Sequence, residues 1–477
     1  RSRAIGCVIS CKRYYSRWIF LSAARALRHL MTQERVGQGR DESGALDTFR
    51  RFFALERDVL VLSLAMFAFS LGFQMTNRFL PEYLVALGAS GFVVGLFGTV
   101  GNVISAVYPY PGGAISDRIG SRYALTVFGL VSTLGFAVWL LAPGVGPVSL
   151  AGVTIQPWIW IFVGLLLAQA WKSFGLGATF AVVKQATEPS RLASGFASTE
   201  TFRRTAFLVG PVLAAILIGL HPAFTVSFQY VLGVAVAFGV LGTVAQHLLY
   251  DASEDTLGDS FAGLDRIRRD LREMPTTLRP LLVGDTLVRF ANGMVYVFFV
   301  LVITRIYQVG FATTVSLAGF SYAIDLSPEA FFGYLLGVEM LVALLVMAPA
   351  AKAAERVGLK PVVALGFAVY ALFPVVLINA PGTATAMVLV FAFSGLRFAG
   401  LPSHKALIVG PAQQGAGGRV TGTYYLLRNT IVIPSAALGG YLWEFVSPEV
   451  AFTIAAAIGV VGTGYFLLFG EEFEAYA

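Results

Sequence analysis

Polar and charged residues inside long apolar segments are the positions at which this chain could do chemistry. A charge in a membrane span is costly to bury, so each one is a candidate for contact with a substrate or an ion. The candidate pathway residues are Gln74, Asn77, Arg78, Lys172, Asp285, Arg289, Asn292, Glu339, Arg397 and Arg428. Basic residues outnumber acidic ones in this set, which favours an anionic solute.

Two carboxylates in this set could act through a proton or through an ion pair. Glu339 stands alone in the apolar run GYLLGVEMLVALLVM, so it must either find a cationic partner or take up a proton. If Glu339 were exposed to the two sides of the membrane in turn, it could bind a proton on one side and release it on the other. A static ion pair with Arg289 or Arg397 is the alternative. Asp285 and Arg289 are separated by four residues, which places them on one helical face and predicts an ion pair.

The sequence offers little chemistry to an enzyme. It contains 4 histidines without a paired acidic motif, and its 2 cysteines, Cys7 and Cys11, both lie near its start. It also lacks the GxxxxGK pattern, followed by Ser or Thr, that binds nucleotide phosphates. We therefore expect no catalytic residue, no metal and no cofactor.

The elements that carry the candidate residues are long apolar segments. Of the 477 residues, 57% are hydrophobic and 13% are charged, whereas a soluble domain carries roughly 25% charged residues. A membrane helix needs about 20 apolar residues, and twelve such segments predict an all-α integral membrane protein with twelve transmembrane helices. They lie at 59–86, 90–114, 123–142, 157–184, 196–219, 223–249, 280–306, 329–350, 360–379, 383–408, 421–443 and 450–469.

The basic residues of the connections predict how the spans are oriented. Arginine and lysine follow the even-numbered spans, and the opposite connections are nearly bare, with Arg305 as the main exception. Because cytoplasmic loops collect basic residues, we expect both termini in the cytoplasm of a multi-pass plasma membrane protein. The net charge of +7 has the same explanation, so we expect the lipid bilayer rather than nucleic acid as a partner.

One long charged stretch, residues 250–279, divides the chain into two halves. Apolar residues recur there at helical spacing, which predicts an amphipathic segment on the membrane surface, with a solvated linker as the alternative. Residues 1–30 are basic, and we interpret them as a non-native start upstream of Met31, with a targeting peptide as the alternative. The predicted domains are a cytoplasmic N-terminal extension (1–57), a six-helix bundle (58–249), a cytoplasmic linker (250–279), a second six-helix bundle (280–470) and a short acidic cytoplasmic tail (471–477).

A repeated loop relates the two halves. GAISDRIGSR after the second span and AKAAERVGLK after the eighth share an acid, a base, a glycine and a base at identical spacing. Parallel repeats of six spans imply a duplicated bundle with a site between the halves, near the middle of the membrane. The loop residues singled out are Gly113, Asp117, Arg118, Gly120 and Arg122 in the first half and Glu355, Arg356 and Gly358 in the second.

The first of these loops carries a signature by which the chain resembles the major facilitator superfamily. That resemblance implies two pseudo-symmetric six-helix bundles, function as a monomer, and a role for the loop residues as a conformational latch on the cytoplasmic side. Gly210 and Pro211 resemble the glycine-proline motif of the antiporter branch of this family. Small residues with a proline also suit a helix that bends against its neighbours.

Together these features predict a secondary transporter that moves a small organic solute by alternating access, with protons as the coupling ion. Gly210 and Pro211 favour efflux of a drug or metabolite in exchange for protons. The basic bias of the spans favours uptake or exchange of an organic anion instead. A non-transporting sensor or scaffold built on the same fold is the remaining alternative.

Overall fold

The computed structural model describes residues 57–150, 153–174, 192–250, 274–317, 320–409 and 417–472. The predicted extension up to residue 56, most of the predicted linker (251–273) and the end of the predicted tail (473–477) lie outside these ranges. The described part is mostly helical. This is the expected result for apolar segments in lipid, because a helix satisfies all its backbone hydrogen bonds internally.

Helices α1 to α8 make up the first half of the described chain. They are α1 (Arg57–Thr76), α2 (Leu80–Ala86), α3 (Gly91–Val107), α4 (Pro109–Ile119), α5 (Ser121–Val145), α6 (Ile159–Gln169), α7 (Leu192–Ile218) and α8 (Phe224–Leu249). A π-helical turn, Ala170–Phe174, continues α6. α1 and α2 form one apolar segment bent by 43°. Pro81 accounts for the break, because it lacks the N–H that a continuous helix would need.

Helices α9 to α16 make up the second half. They are α9 (Arg279–Val295), α10 (Pro328–Val357), α11 (Leu359–Ile378), α12 (Ala384–Gly395), α13 (Leu401–Val409), α14 (Gly417–Val432), α15 (Ser435–Phe445) and α16 (Pro448–Phe469). A 3-10 turn (Thr276–Leu278) precedes α9. After α9 come a second 3-10 turn (Tyr296–Phe298), one α-helical turn (Phe299–Leu301) and a π-helical turn (Val302–Tyr307). A further 3-10 turn, Leu396–Phe398, follows α12. Ser327, Thr383 and Ser447 cap α10, α12 and α16 with their side-chain oxygens.

The repeated loops of the two halves have the same backbone conformation. Gly120, between α4 and α5, has φ 81° and ψ 153°, and Gly358, between α10 and α11, has φ 89° and ψ 164°. An L side chain rarely adopts a positive φ of this kind, so glycine is required at both positions. The shared acid-base-glycine spacing therefore reflects a shared chain reversal.

Helices long and apolar enough to cross a membrane occur in both halves. By length and composition, seven helices of the described chain qualify, or eight if the bent pair α1 and α2 counts as one span. Three further apolar helices are shorter. Helical residues are present in each of the twelve predicted segments. The count of twelve membrane crossings stays a prediction.

Two β-hairpins depart from the predicted all-α fold. β1 (Val148–Leu150) pairs antiparallel with β2 (Val153–Ile155), and β3 (Phe311–Leu317) pairs with β4 (Phe320–Leu326). Both hairpins lie in connections between long helices, where the apolar run is too short for a span. The β-branched residues of β3 favour an extended chain. The all-α prediction was wrong at these two connections.

The two halves pack against each other near one end of the bundle, which we name the Glu82 end after a residue located there. α3 packs on α15, and α7 packs on α10. Gly95 and Gly440 bring α3 and α15 so close that a Cβ on Gly440 would lie 2.8 Å from Gly95 Cα. Glu444, near the end of α15, accepts a hydrogen bond of 2.8 Å from the backbone N–H of Gly91. The halves are therefore joined at this end by close backbone packing and a polar contact.

Candidate substrate and proton site

Glu339 lies at the junction of the two halves, among cations. α10 places its Oε2 3.6 Å from Nη2 of Arg78, which belongs to the first half. Its Oε1 accepts a hydrogen bond from Nη2 of Arg397, just after α12 in the second half. Glu339 is 3% exposed, Arg78 9% and Arg397 4%. One buried carboxylate is thus shared by two guanidinium groups that the chain brings from opposite halves.

Arg397 keeps part of its hydrogen-bonding capacity. Its Nε and Nη1 have no hydrogen-bond partner within the described part of the chain. The guanidinium carbon lies 5.1 Å from the ring centroid of Tyr370, with Phe373 at 5.8 Å and Phe398 at 5.0 Å. Aromatic faces attract the cation but do not replace a hydrogen-bond acceptor. Arg397 therefore has buried N–H groups to offer to an anion.

Arg78 is held in place by an aromatic ring as well as by Glu339. It follows α1, at the bend before α2, and its guanidinium carbon lies 4.1 Å from the ring centroid of Tyr296. Tyr296 belongs to the 3-10 turn after α9, in the second half. A cation over an aromatic face is attracted by the ring quadrupole. Both contacts of Arg78 thus cross between the halves.

A second buried carboxylate, Asp285 of α9, is also shared by two arginines. Arg289 Nε lies 3.3 Å from its Oδ1, and Arg428 Nη1 lies 3.0 Å from its Oδ2. The Tyr424 hydroxyl donates a hydrogen bond of 3.1 Å to Oδ2, and His404 Nε2 lies 3.2 Å from the same oxygen. The Asp285 side chain is 0% exposed, whereas those of Arg289 and Arg428 are 24% and 15% exposed. The acid therefore lies behind the two cations, and the ion pair predicted from sequence spacing is present.

Tyr370 of α11 links the two arginine clusters. Arg289 Nη1 donates a hydrogen bond of 3.0 Å to the Tyr370 hydroxyl, and its guanidinium carbon lies 4.7 Å from the ring centroid. The same ring packs against Arg397. A single buried tyrosine thus contacts one arginine from each cluster.

The other predicted pathway residues lie outside these two clusters. Gln74 of α1, Asn77 and Asn292 of α9 are partly buried. Lys172, in the π-helical turn after α6, is exposed, and its Nζ lies 5.8 Å from the Phe73 ring centroid.

Gly210 and Pro211 lie within the continuous helix α7 and contact both halves. A Cβ on Gly210 would lie 2.7 Å from Gln74 Cβ. A Cβ on Gly333 of α10 would lie 2.7 Å from the Pro211 carbonyl oxygen. Close packing accounts for Gly210, and the predicted role of Gly210 and Pro211 in helix bending stays a prediction.

The predicted latch residues of the first half surround the reversal at Gly120. Gly113 and Asp117 lie in α4, and the side chain of Asp117 is outside the described part of the structure. Arg118 is exposed, and Arg122 Nε donates a hydrogen bond of 2.8 Å to the carbonyl oxygen of His247 at the end of α8. The latch function stays a prediction.

The corresponding loop of the second half is fixed by the start of the tail. Glu355 and Arg356 are exposed at the end of α10. The carboxylate of Glu472 accepts hydrogen bonds of 3.0 and 2.8 Å from the backbone N–H groups of Leu359 and Lys360. A carboxylate at the first turn of a helix satisfies free N–H groups and complements the helix dipole. Glu472 therefore caps α11.

The Glu82 end contains a third buried carboxylate. Glu82 of α2 is 1% exposed and accepts a hydrogen bond of 2.6 Å from the Thr304 hydroxyl. It also forms an ion pair with Arg305, whose side chain is 49% exposed. Thr304 and Arg305 lie in the π-helical turn after α9. This group therefore connects the first half to the second.

Comparison with known proteins decides the family to which this bundle belongs. A sequence profile of the Major Facilitator Superfamily matches residues 62–328, which is more than half of the chain. This chain belongs to the major facilitator superfamily. In agreement with this family, the described residues include several helices that are long and apolar enough to cross a membrane.

Two sequence relatives of this superfamily member are uncharacterized MFS-type transporters from two strains of Mycobacterium tuberculosis. Each is 30% identical over 204 residues, which is 43% of this chain and 43% of the relative. The matched region therefore spans less than half of the length of these relatives.

Solved transporters of low sequence identity share the fold. The nucleoside transporter NupG, as its D323A mutant, has a TM-score of 0.67 at 11% identity over 87% of this chain and 99% of its own. The peptide transporter POT in complex with sulfate has a TM-score of 0.64 at 15% identity, over 88% of this chain and 94% of its own. A POT family transporter in complex with 5-aminolevulinic acid has a TM-score of 0.63 at 14% identity, over 88% and 99%. At these identities the comparison establishes the fold alone.

Four polar residues of the buried charged clusters were not predicted from the sequence: Glu82, Tyr370, His404 and Tyr424. Glu82 lies within the predicted span 59–86, so the rule that singled out other charges in spans also applied to it. Arg305 gave a second signal, because it was the main basic residue in connections that were otherwise bare. His404 falls within the predicted span 383–408. The two tyrosines gave no signal, since aromatic residues are common in membrane helices.

Proposed function

We propose that this transporter moves a small organic anion together with protons, by alternating access to a site between its two halves. The observation that carries the proposal is the position of Glu339, between Arg78 of the first half and Arg397 of the second. The proposal includes twelve spans in two six-helix bundles, a plasma membrane location with both termini in the cytoplasm, and function as a monomer.

The charge of the Glu339 cluster favours an anion. One carboxylate is shared by two arginines, and arginine stays protonated under all ordinary conditions, so the deprotonated cluster carries one excess positive charge. Two buried N–H groups of Arg397 also lack an acceptor within the described residues. A carboxylate, sulfonate or phosphate group would supply both the missing charge and the missing acceptor.

The same cluster gives a physical reason for coupling to protons. When Glu339 takes up a proton it loses its charge, and both arginines lose their internal counter-ion. The positive charge near the site then increases, so an anion binds more strongly. Binding of the anion favours the protonated carboxyl in return, because coupling between two ligands is reciprocal. Proton and anion would therefore load together, as in symport.

Alternating access would act on this cluster because its members belong to both halves. Arg78 approaches Glu339 from the first half, whereas Arg397 is carried by the same half as Glu339. A rocking motion of the halves would change the contact with Arg78 and leave the contact with Arg397 intact. The described conformation has the halves joined at the Glu82 end, so opening at that end would require those contacts to separate.

Anion transport is preferred here over the efflux of a drug or metabolite. The argument for antiport rested on Gly210 and Pro211, and close packing against Gln74 accounts for Gly210. The positive excess at Glu339 has no comparable explanation in packing. We therefore place the organic anion first.

Transport in proteoliposomes tests this proposal. The purified full chain would be reconstituted and supplied with labelled carboxylates and sulfonates, with the outside either acidic or at the internal pH. We expect accumulation of at least one anion above its external concentration, driven by the acidic exterior and abolished by a protonophore. Sulfonates belong in the panel because they stay charged, whereas protonated carboxylic acids cross lipid unaided.

Neutral amides and cationic amines with the same carbon skeletons, together with protein-free liposomes, serve as controls. Anion transport at rates that ignore the pH gradient would rule out proton coupling. Accumulation of the amines alone would rule out an anionic substrate.

A further inference from the structure

Two arginines close to one tyrosine ring suggest how many acidic groups the solute carries. The guanidinium carbons of Arg289 and Arg397 lie 4.7 and 5.1 Å from the Tyr370 ring centroid. The two guanidinium carbons are therefore at most about 10 Å apart. Only a short molecular body could therefore span both arginines, with a hydrogen bond of about 3 Å at each end.

Each of these arginines belongs to a cluster with one positive charge in excess. Glu339 is shared by Arg78 and Arg397, and Asp285 is shared by Arg289 and Arg428. His404 adds positive charge only when it is protonated. Two excess charges in a region of low dielectric attract a dianion more strongly than a monoanion, because each acidic group meets its own cation.

Both arginines can receive an acidic group. Nε and Nη1 of Arg397 lack an acceptor within the described residues. Arg289 uses Nε for Asp285 and Nη1 for Tyr370, and its side chain is 24% exposed. One arginine therefore offers unpaired N–H groups, and the other presents an accessible cation whose carboxylate partner is fully buried behind it.

We propose that the transported solute is a short organic dianion, with one acidic group at Arg397, the other at Arg289, and its body against the Tyr370 ring. This inference rests on the proposed function and specifies its substrate class. Protonation of Glu339 releases Arg397 for the first acidic group. Asp285 remains the counter-ion of Arg428 when Arg289 turns to the second.

Matched pairs of ligands test the proposal on the purified full chain. Each dicarboxylate would be compared with its monoamide, which has nearly the same shape and one acidic group fewer: malonate with malonamate, succinate with succinamate, and glutarate with glutaramate. Dissociation constants would come from calorimetry in detergent, and uptake from proteoliposomes. For at least one pair we expect the dianion to bind roughly tenfold more tightly, as for a hydrogen-bonded charge pair.

Variants assign that preference to residues. The Arg289→Gln variant should bind the dicarboxylate and its monoamide with nearly equal affinity. Its affinity for the monoamide should equal that of the unsubstituted chain. Arg289→Lys should retain part of the preference, because it retains the charge. Arg279→Gln is the matched control, since it removes an exposed arginine from the start of the same helix and should leave the preference unchanged. Thermal unfolding of each variant checks that it is folded.

The possible results separate this inference from the proposed function. The proposal of a dianionic solute is wrong if monoamides and other monoanions bind as tightly as the dianions, or if Arg289→Gln keeps the full preference for the dianion. Neither result would contradict proton-coupled anion transport. If no anion of either panel is bound or transported, the proposed function fails, and the dianion fails with it.

Discussion

At the residue scale, Glu339 and Asp285 share one arrangement, a buried carboxylate between two arginines. Loss of the carboxylate charge from such a group leaves two uncompensated positive charges, which is strongly destabilising in a buried site. A ligand that brings its own negative charge avoids that penalty. The arrangement therefore suits a site at which an internal counter-ion and an anionic substrate exchange places.

Sequence spacing could predict only the local part of these clusters. Asp285 and Arg289 are four residues apart on one helix, and their ion pair followed from helix geometry. Arg397 was foreseen as one of two alternative partners for Glu339. The contact with Arg78 could not be foreseen, because it depends on how the first half packs against α10 rather than on a repeating pattern.

Substitution Tyr370→Phe tests the link between the two clusters. It removes the hydroxyl that accepts a hydrogen bond of 3.0 Å from Arg289 Nη1 and keeps the ring beside both arginines. Arg289 is partly exposed, so water can replace part of the lost bond, and we expect a loss of about 1 kcal/mol in the free energy of unfolding. The apparent unfolding temperature in detergent should fall by roughly 1–3 °C.

Tyr441→Phe is the matched control for this substitution, because Tyr441 of α15 is exposed. Equal unfolding temperatures for the two variants would mean that the Tyr370 hydroxyl contributes nothing to the cluster.

At the element scale, apolar runs predicted where helices lie but not how they are interrupted. Each predicted span contains helical residues, yet α1 breaks before α2, and a π-helical turn follows α6. The break before Pro81 could be read from the sequence. The π-helical turns contain neither proline nor glycine that would mark them, and the two β-hairpins lie in connections between predicted spans.

The Glu82 group offers a test of how the halves are held together. Substitution Glu82→Gln removes the charge that pairs with Arg305, while the half-exposed Arg305 can still be solvated. We expect about 1 kcal/mol less stabilisation of the joined halves, which corresponds to roughly fivefold more of the state open at this end. The measurement is the rate at which an impermeant maleimide labels Ala436→Cys, a position that is 2% exposed. Cys7 and Cys11 would be replaced by serine beforehand.

Asp325→Asn is the control for this experiment, because it neutralises an exposed carboxylate on β4. The same labelling rate in Glu82→Gln and in the unsubstituted background would show that the ion pair does not hold the halves together.

At the scale of the whole molecule, duplication was the most informative feature of the sequence. The same acid-base-glycine spacing occurs in both halves, and Gly120 and Gly358 adopt nearly the same backbone conformation. The repeat predicts a site between the halves, and the Glu339 cluster lies at their junction. The identity of the solute could not be predicted in this way, because it depends on side chains that come together only in the folded bundle.

The most direct test of proton-coupled anion transport is the substitution Glu339→Gln, with Glu329→Gln on the same helix as the control. Glutamine resembles the protonated carboxyl and leaves both arginines charged. The variant should therefore still exchange labelled for unlabelled anion across proteoliposomes. It should no longer accumulate that anion in response to a pH gradient, whereas the control should do both. Full gradient-driven accumulation by Glu339→Gln would contradict the assignment of Glu339 as the proton site.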